Sequence, residues 1–296
     1  MMKDKKIDFR VNYKNVHVLD EINTKDIRYP IILSSPHSGH FFPKEFYDNV
    51  KVDEKDLKVN EEWFVDELIE GAINQGFATL LMNVSRAFVD VNRDKIEIDP
   101  DMYFDYTNSD DCGGSRRCRV GYGVIHRILH NGRDIYDGKI SYYEALDRIK
   151  NVYDEYHKKL SKLIDKTVKK FGYCFVLDCH SMPSKIGAMM LDDKPIDICL
   201  GTLFEQSCPN EMSDFFMNKF KEEGYNTLYN TPYSGAYITF NYCQPRKKVF
   251  TMQLEINRGL YMNEKTFKKN KQFQKISSDI SKVIVDFSKF VLDFKI

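Results

Sequence analysis

Short, continuously apolar runs alternate along this chain with segments whose apolar residues recur at helical spacing, and that alternation restricts the fold more than any other feature. "YPIILSS", "FATLLMNV", "RAFVDVN", "YCFVLDCHS" and "VFTMQLEIN" read as strands, with "PIDICLGT" a weaker one. Between them, "NEEWFVDELIEGAINQG" sets Val65, Leu68, Ile69, Ala72 and Ile73 on one helical stripe, with Asn60 as N-cap. Ser141 to Phe171 reads as one long helix. It opens on the capping-box pattern "SYYE", keeps Leu146, Ile149, Val152, Tyr156 and Leu160 in helical register, and stops at Gly172. A helix near Glu211 to Glu223 follows, and then a C-terminal helix from about Glu264 with the stripe Ile276, Ile280, Val283, Ile284, Phe287 and Val291. Strands that are apolar on both faces need helices on both, so the pattern predicts an α/β sandwich. No repeat, low-complexity tract or linker divides the chain, which predicts a single domain over residues 1–296.

Composition narrows the partners. The 44 basic and 44 acidic side chains cancel, so no global field favours nucleic acid or an anionic membrane surface, and a small molecule is the expected partner. No apolar run approaches the roughly 18 residues that span a bilayer, and "MMKDKKIDFR" lacks the apolar core of a secretory signal; a cytoplasmic protein is expected. Seven Cys without a framework of spacings read as reduced thiols, which suits that compartment. Oligomeric state is not legible.

In open α/β sheets, functional groups gather where strands end. Four polar residues fall at or near such places: His37 after the first strand, Glu62 at the opening of the first helix, His180 at the end of "YCFVLDCH", and Glu255 in "MQLEIN". Two imidazoles and one carboxylate form a recurrent ligand set for catalytic zinc, and a further carboxylate can take a proton from metal-activated water. Each also has a plainer reading: a satisfied structural His37, Glu61 and Glu62 placed by the helix dipole, His180 capping a strand, Glu255 paired with Arg258 at a surface. The spacing lacks the compactness of HExxH. Strand alternation puts Asp178 on the face of His180 and Cys179 on the other, so Asp178 reads as an acceptor for an imidazole N–H, with ligation of a second metal as the alternative. "SRAFVDVNRD" concentrates Arg86, Asp90, Asn92 and Arg93; Arg93 suits a two-pronged bond to a substrate carboxylate, against the alternative of a structural Asp–Arg pair.

"SPHSG", "EEWFVDEL", "SRAFVDVNR", "DCHSM", "GAYIT" and "QLEINRGLYMNE", in that order from about Ile31 to Glu264, resemble the N-formylglutamate amidohydrolase family, itself similar to the zinc carboxypeptidases in fold and metal site. The resemblance implies a three-layer α/β/α sandwich with a mixed central sheet. It also implies one zinc ion on His37, Glu62 and His180, and Glu255 as general base. Asn92 and Arg93 resemble the pair that holds a substrate carboxylate or carbonyl, with Arg93 serving catalysis as well. Arg127 in "GYGVIHR" and Tyr237 in "GAYIT" match segments that border the cleft, which implies that Arg127 holds a substrate carboxylate and Tyr237 hydrogen-bonds the reacting centre; a solvated Arg and a core Tyr are the alternatives. The implied reaction is hydrolysis of N-formyl-L-glutamate to formate and glutamate, within amino-acid degradation. A deacylase or carboxypeptidase-like activity on another N-acyl amino acid or short peptide is the alternative, and a non-catalytic binding protein a further one. One departure stands out: the family usually carries Asp, preceded by Thr, where this chain has Glu62, which keeps Glu61 open as a rival ligand.

Overall fold

The computed structural model describes residues 5–107, 115–187 and 195–294. The chain groups into two compact units, Met1–Asp20, His37–Glu61 and Met82–Lys159 in one, and Glu21–Pro36, Glu62–Leu81 and Leu160–Ile296 in the other.

The main sheet has seven strands: β1 (Leu19–Ile22), β2 (Ile31–Ser35), β3 (Ala78–Met82), β4 (Cys174–Met182), β5 (Ile198–Gly201), β6 (Thr227–Tyr229) and β7 (Val249–Asn257), in the order β1-β3-β2-β4-β7-β5-β6. Parallel pairing joins β2 to β3 and β4, β4 to β7, and β5 to β6, while β5 runs antiparallel to β7, so the sheet is mixed. All nine residues of β4 and all nine of β7 are buried, which is why their sequences read as nearly unbroken apolar runs.

Period-2 alternation then sorts the side chains. Ile31, Leu33, Phe175, Leu177, Cys179, Phe250, Met252, Leu254 and Ile256 join one hydrophobic cluster with α1 (Val65–Leu68), α2 (Glu70–Asn74), α5 (Asn210–Glu222) and α7 (Phe273–Asp293). Ser34, Asp178, His180, Thr251, Gln253 and Glu255 belong to the other face. There Thr251 donates to the Thr239 carbonyl of α6 (Tyr237–Tyr242) at 2.7 Å, and the Cys174 thiol meets Thr167 of α4 (Asp154–Phe171). Helices on both faces make three layers. In α7 every residue of the expected stripe is buried.

In the first unit, α3 (Tyr142–Arg148) continues through one π-helical turn, Ile149–Tyr153, into α4. Arg148 is buried without solvent exposure, its guanidinium 4.2 Å from the Phe88 ring centroid, bonded to Glu144 at 2.6 Å and to the Tyr136 hydroxyl at 2.7 Å.

Four local expectations are corrected. "RAFVDVN" is not a strand: the Phe88 and Val89 amides turn back to the Ser85 carbonyl, the Asn92 amide donates to Asp90 Oδ1, and the Asp90 amide reaches the Val124 carbonyl at 2.8 Å, so its amides are spent on turns and a loop rather than on a ladder. The first helix starts at Val65, not after Asn60, because Phe64 takes a left-handed φ of 68°, and it breaks at Ile69. Ser141 donates its hydroxyl to Asp105, which also accepts from the Tyr142 amide, while Glu144 turns to Arg148; Asp105 therefore does the capping that "SYYE" suggested. The last helix begins at Phe273 because 262–269 form a short hairpin, Met262–Asn263 against Lys268–Lys269.

Candidate active site

The polar face of β4 and β7 carries the candidate chemistry. Parallel pairing puts His180 beside Glu255 and Asp178 beside Gln253, and on the next strand Ser34 beside Asp178. His180 is clamped between two carboxylates, Nδ1 at 3.0 Å from Glu62 Oε2 and Nε2 at 2.9 Å from Asp178 Oδ2. Burial alone would depress the His180 pKa, but Asp178 and Glu62 outweigh it and hold the ring well above the ordinary imidazole range. Ser34 Oγ donates to Asp178 Oδ1 at 2.8 Å, and the Ser181 amide donates to Glu62 Oε2 at 2.9 Å, so both carboxylates are fixed from behind. Glu62 itself precedes the first helix, in the extended stretch after Asn60.

Glu255 is 5% exposed and makes no surface pair with Arg258, whose Nε instead donates to Ser181 Oγ at 3.0 Å. Burial pushes its carboxyl up to about 7, with His180 pulling it down and Glu62 adding to the rise. Gln253 Nε2 donates to Glu255 Oε1 at 2.6 Å.

His37 follows β2 by two residues, where "PHSG" turns the chain; a Cβ on Gly39 would stand 2.4 Å from the Asn83 carbonyl carbon, so only Gly fits there. His37 Nε2 lies 2.8 Å from Asp90 Oδ1. The other oxygen, Asp90 Oδ2, receives Arg86 at 2.7 Å and His126 Nε2 at 3.1 Å, with Arg93 Nε 3.9 Å away. Burial pushes the Asp90 carboxyl up, yet Arg86 and His37 prevail and hold it well below the usual range. His126 is pushed down to about 4 by burial. Its tautomer follows from its neighbours: Asn60 Oδ1 accepts from the His130 amide, so Asn60 Nδ2 faces His126 Nδ1 as donor, and Nε2 carries the hydrogen toward Asp90.

Among the described residues one buried group can hold a metal ion: His37, Glu62 and His180 each offer a ligand atom, and the three atoms lie within 4.8 Å of one another. The donor set fits a divalent cation. Glu62, Asp178 and Glu255 are three buried carboxylates, and unpaired charge at such depth costs several kcal/mol per ion. Glu61 turns elsewhere, its Oε2 2.7 Å from His40 Nδ1. Two imidazoles with a carboxylate, each ring's other nitrogen on an aspartate, is the arrangement that orients metal-ligating histidines.

The family model described as FGase, N-formylglutamate amidohydrolase, matches residues 29–262. The chain belongs to the N-formylglutamate amidohydrolase family. It is accordingly an amidohydrolase by family. N-formylglutamate deformylase of Pseudomonas aeruginosa is 28% identical over 250 residues, 83% of this chain and 87% of the relative; that of Pseudomonas putida is 26% identical over 240 residues, 80% and 83%. The crystal structure of N-formylglutamate amidohydrolase from Ralstonia eutropha JMP134 superposes with a TM-score of 0.86 at 27% identity, covering 93% of this chain and 99% of that one.

The remaining expected site residues fare differently. Asn92 is buried and bonded through its amide to Asp90, and Arg93 is largely buried beside the same carboxylate, burial pressing its pKa down. Arg127 is committed to Asp99 at 2.9 Å and Asp134 at 3.4 Å. Tyr237 opens α6 and is half-buried. Gln253, Ser34 and His126 were not singled out by sequence reasoning, and Asn60 was read only as an N-cap. For Gln253 the signal was available, since two residues' separation from Glu255 on a strand means a shared face.

Proposed function

We propose that this chain is a zinc-dependent hydrolase of small N-acyl amino acids, with N-formyl-L-glutamate as substrate and formate and glutamate as products. The observation that carries the reading is the clamped His180, beside Glu255 in register and grouped with Glu62 and His37. Asp178 and Asp90 sit against Nε2 of the two imidazoles, so His37 and His180 would hold the ion through their other ring nitrogens, with Glu62 as third ligand. Bound there, zinc supplies Lewis acidity, lowering the pKa of water and polarising the formyl oxygen. Glu255, with a pKa near neutrality, removes a proton from the attacking water and delivers one to the leaving amine. Arg93, supported by Asn92, holds a substrate carboxylate and offsets charge developing in the reaction. Arg127 acts from further out because two aspartates already share its charge, and Tyr237 borders the substrate. The whole chain serves as one catalytic domain. A cytoplasmic setting is in keeping with six free cysteines among the described residues.

The test is metal analysis of the purified protein with parallel turnover of N-formylglutamate, N-formylaspartate, N-acetylglutamate and a dipeptide. Zinc near one equivalent and a clear preference for N-formylglutamate are expected. Equal or better turnover of another substrate removes the substrate assignment, and metal-independent turnover removes the mechanism.

A further inference from the structure

We infer that Gln253 touches the substrate: while its amide N–H holds Glu255, its carbonyl oxygen accepts the N–H of the amide bond being cleaved. This rests on the amidohydrolase reading above and adds to it a contact that distinguishes amides from other acyl compounds.

Gln253 is 3% exposed, on the polar face of β7, with Asp178 beside it on β4 and Gly201 on β5. Its orientation is set by chemistry. Nε2 lies 2.6 Å from Glu255 Oε1, and with Glu255 ionised, the form that takes a proton from water, the reversed amide would set two acceptor oxygens against each other. Two acceptors are then left on this polar edge. Gln253 Oε1 and Glu255 Oε2 are both buried, and neither has a hydrogen-bond partner. An acceptor in that condition is costly, so two of them on residues that share one face of the strand mark where donors belong.

Amide hydrolysis brings such donors. The water oxygen bonds to the acyl carbon, the C–N bond breaks with its electron pair going to nitrogen, and the proton taken from water by Glu255 passes to that nitrogen. To receive it, the nitrogen must come within hydrogen-bond reach of Glu255 Oε2. Gln253 is bonded to the other oxygen of the same carboxyl, so the hydrogen already on the nitrogen meets Gln253 Oε1. The contact strengthens as the nitrogen gains positive charge, which makes it a contribution to the transition state more than to ground-state binding.

The experiment compares N-formylglutamate with its ester counterpart, the O-formyl ester of 2-hydroxyglutarate, which has no N–H. In Gln253→Met, kcat/KM for the amide should fall roughly tenfold further than for the ester, mostly through kcat. Gln253→Asn, which withdraws the carbonyl by one methylene, should show the same selective loss. Equal losses on both substrates overturn the contact, since misplacement of Glu255 alone harms both alike. Should neither variant fold, as judged by circular dichroism, the wild-type enzyme decides with N-formyl-N-methylglutamate: a loss of about tenfold or more supports the contact, and turnover equal to N-formylglutamate overturns it. A wild-type enzyme inert toward N-formylglutamate instead removes the parent reading, and this inference with it.

Discussion

On one face of the sheet Leu33, Leu177, Met252 and Leu254 meet α1, α2, α5 and α7; on the other, the same strands present Ser34, Asp178, His180, Gln253 and Glu255. Exposure does not separate the two: Leu177 and Asp178 are both 0% exposed, and Leu254 and Glu255 are 0% and 5%. What separates them is how burial is compensated. The apolar face gains by leaving water, about 25 cal/mol per Å². The polar face must replace water group by group, and it leaves Glu255 Oε2 and Gln253 Oε1 uncompensated. On the proposed mechanism stability therefore resides on one face and chemistry on the other, and substitutions should divide accordingly.

The largest expected effect is on the polar face. Glu255→Gln should lower kcat for N-formylglutamate by about a thousandfold, the loss of a general base, with no fall in thermal stability because a costly buried carboxylate has gone. A large drop in melting temperature alongside the kinetic loss would break the division. Its counterpart on the apolar face is Phe287→Ala. Phe287 is fully buried, its ring centroid 4.8 Å from Phe175 and 4.5 Å from Phe216. Denaturant unfolding should show a loss of about 3–5 kcal/mol, and the folded fraction should keep its kcat within about twofold.

A smaller effect tests the layer between ligands and strands. Asp178→Asn keeps the shape but weakens the acceptor behind His180, and zinc affinity should fall about 10- to 100-fold in competition with a chromophoric chelator. Unchanged affinity would make Asp178 merely structural.

How far the two faces were legible differs for the same reason. Hydrophobic periodicity depends only on the chain's own spacing, so β2, β4, β7 and the stripe of α7 were readable from sequence. The polar face was half-readable: Asp178 and His180 alternate visibly in "VLDCHS", and the same rule applied to "MQLEIN" pairs Gln253 with Glu255. Asp90 was noticed as a charge in a strand-like segment, but its partners His37 and His126 come from 53 and 36 residues away, and no local pattern encodes such pairings. Nor could spacing separate Glu61 from Glu62. A left-handed Phe64 and the His40 partner of Glu61 decide which carboxylate turns toward His180, and both are tertiary facts.

The two kinds of burial also leave different signatures in pH. Apolar packing has no protons to exchange, so Phe287→Ala should displace the stability curve of the metal-free protein by the same amount at every pH. Glu255 behaves otherwise: its folded pKa of about 7 lies above the ordinary 4.5, so between these values the folded state holds a proton that the unfolded chain has released. That contribution is complete below pH 4.5 and is lost as pH rises through about 7, with a slope of at most about 1.4 kcal/mol per unit. His126 has the opposite sign. Its folded pKa of about 4 lies below the ordinary 6.5, so the unfolded chain takes the proton first and stability falls as pH drops from 6.5 toward 4. The two slopes oppose each other in the wild type, so only difference curves expose them. Urea titrations of metal-free protein should give a wild-type minus Glu255→Gln difference that falls with rising pH, and a wild-type minus His126→Gln difference that rises. A flat Glu255 difference would mean that its carboxyl is hydrated in the folded state, and would remove the physical ground on which the polar face was distinguished from the apolar one.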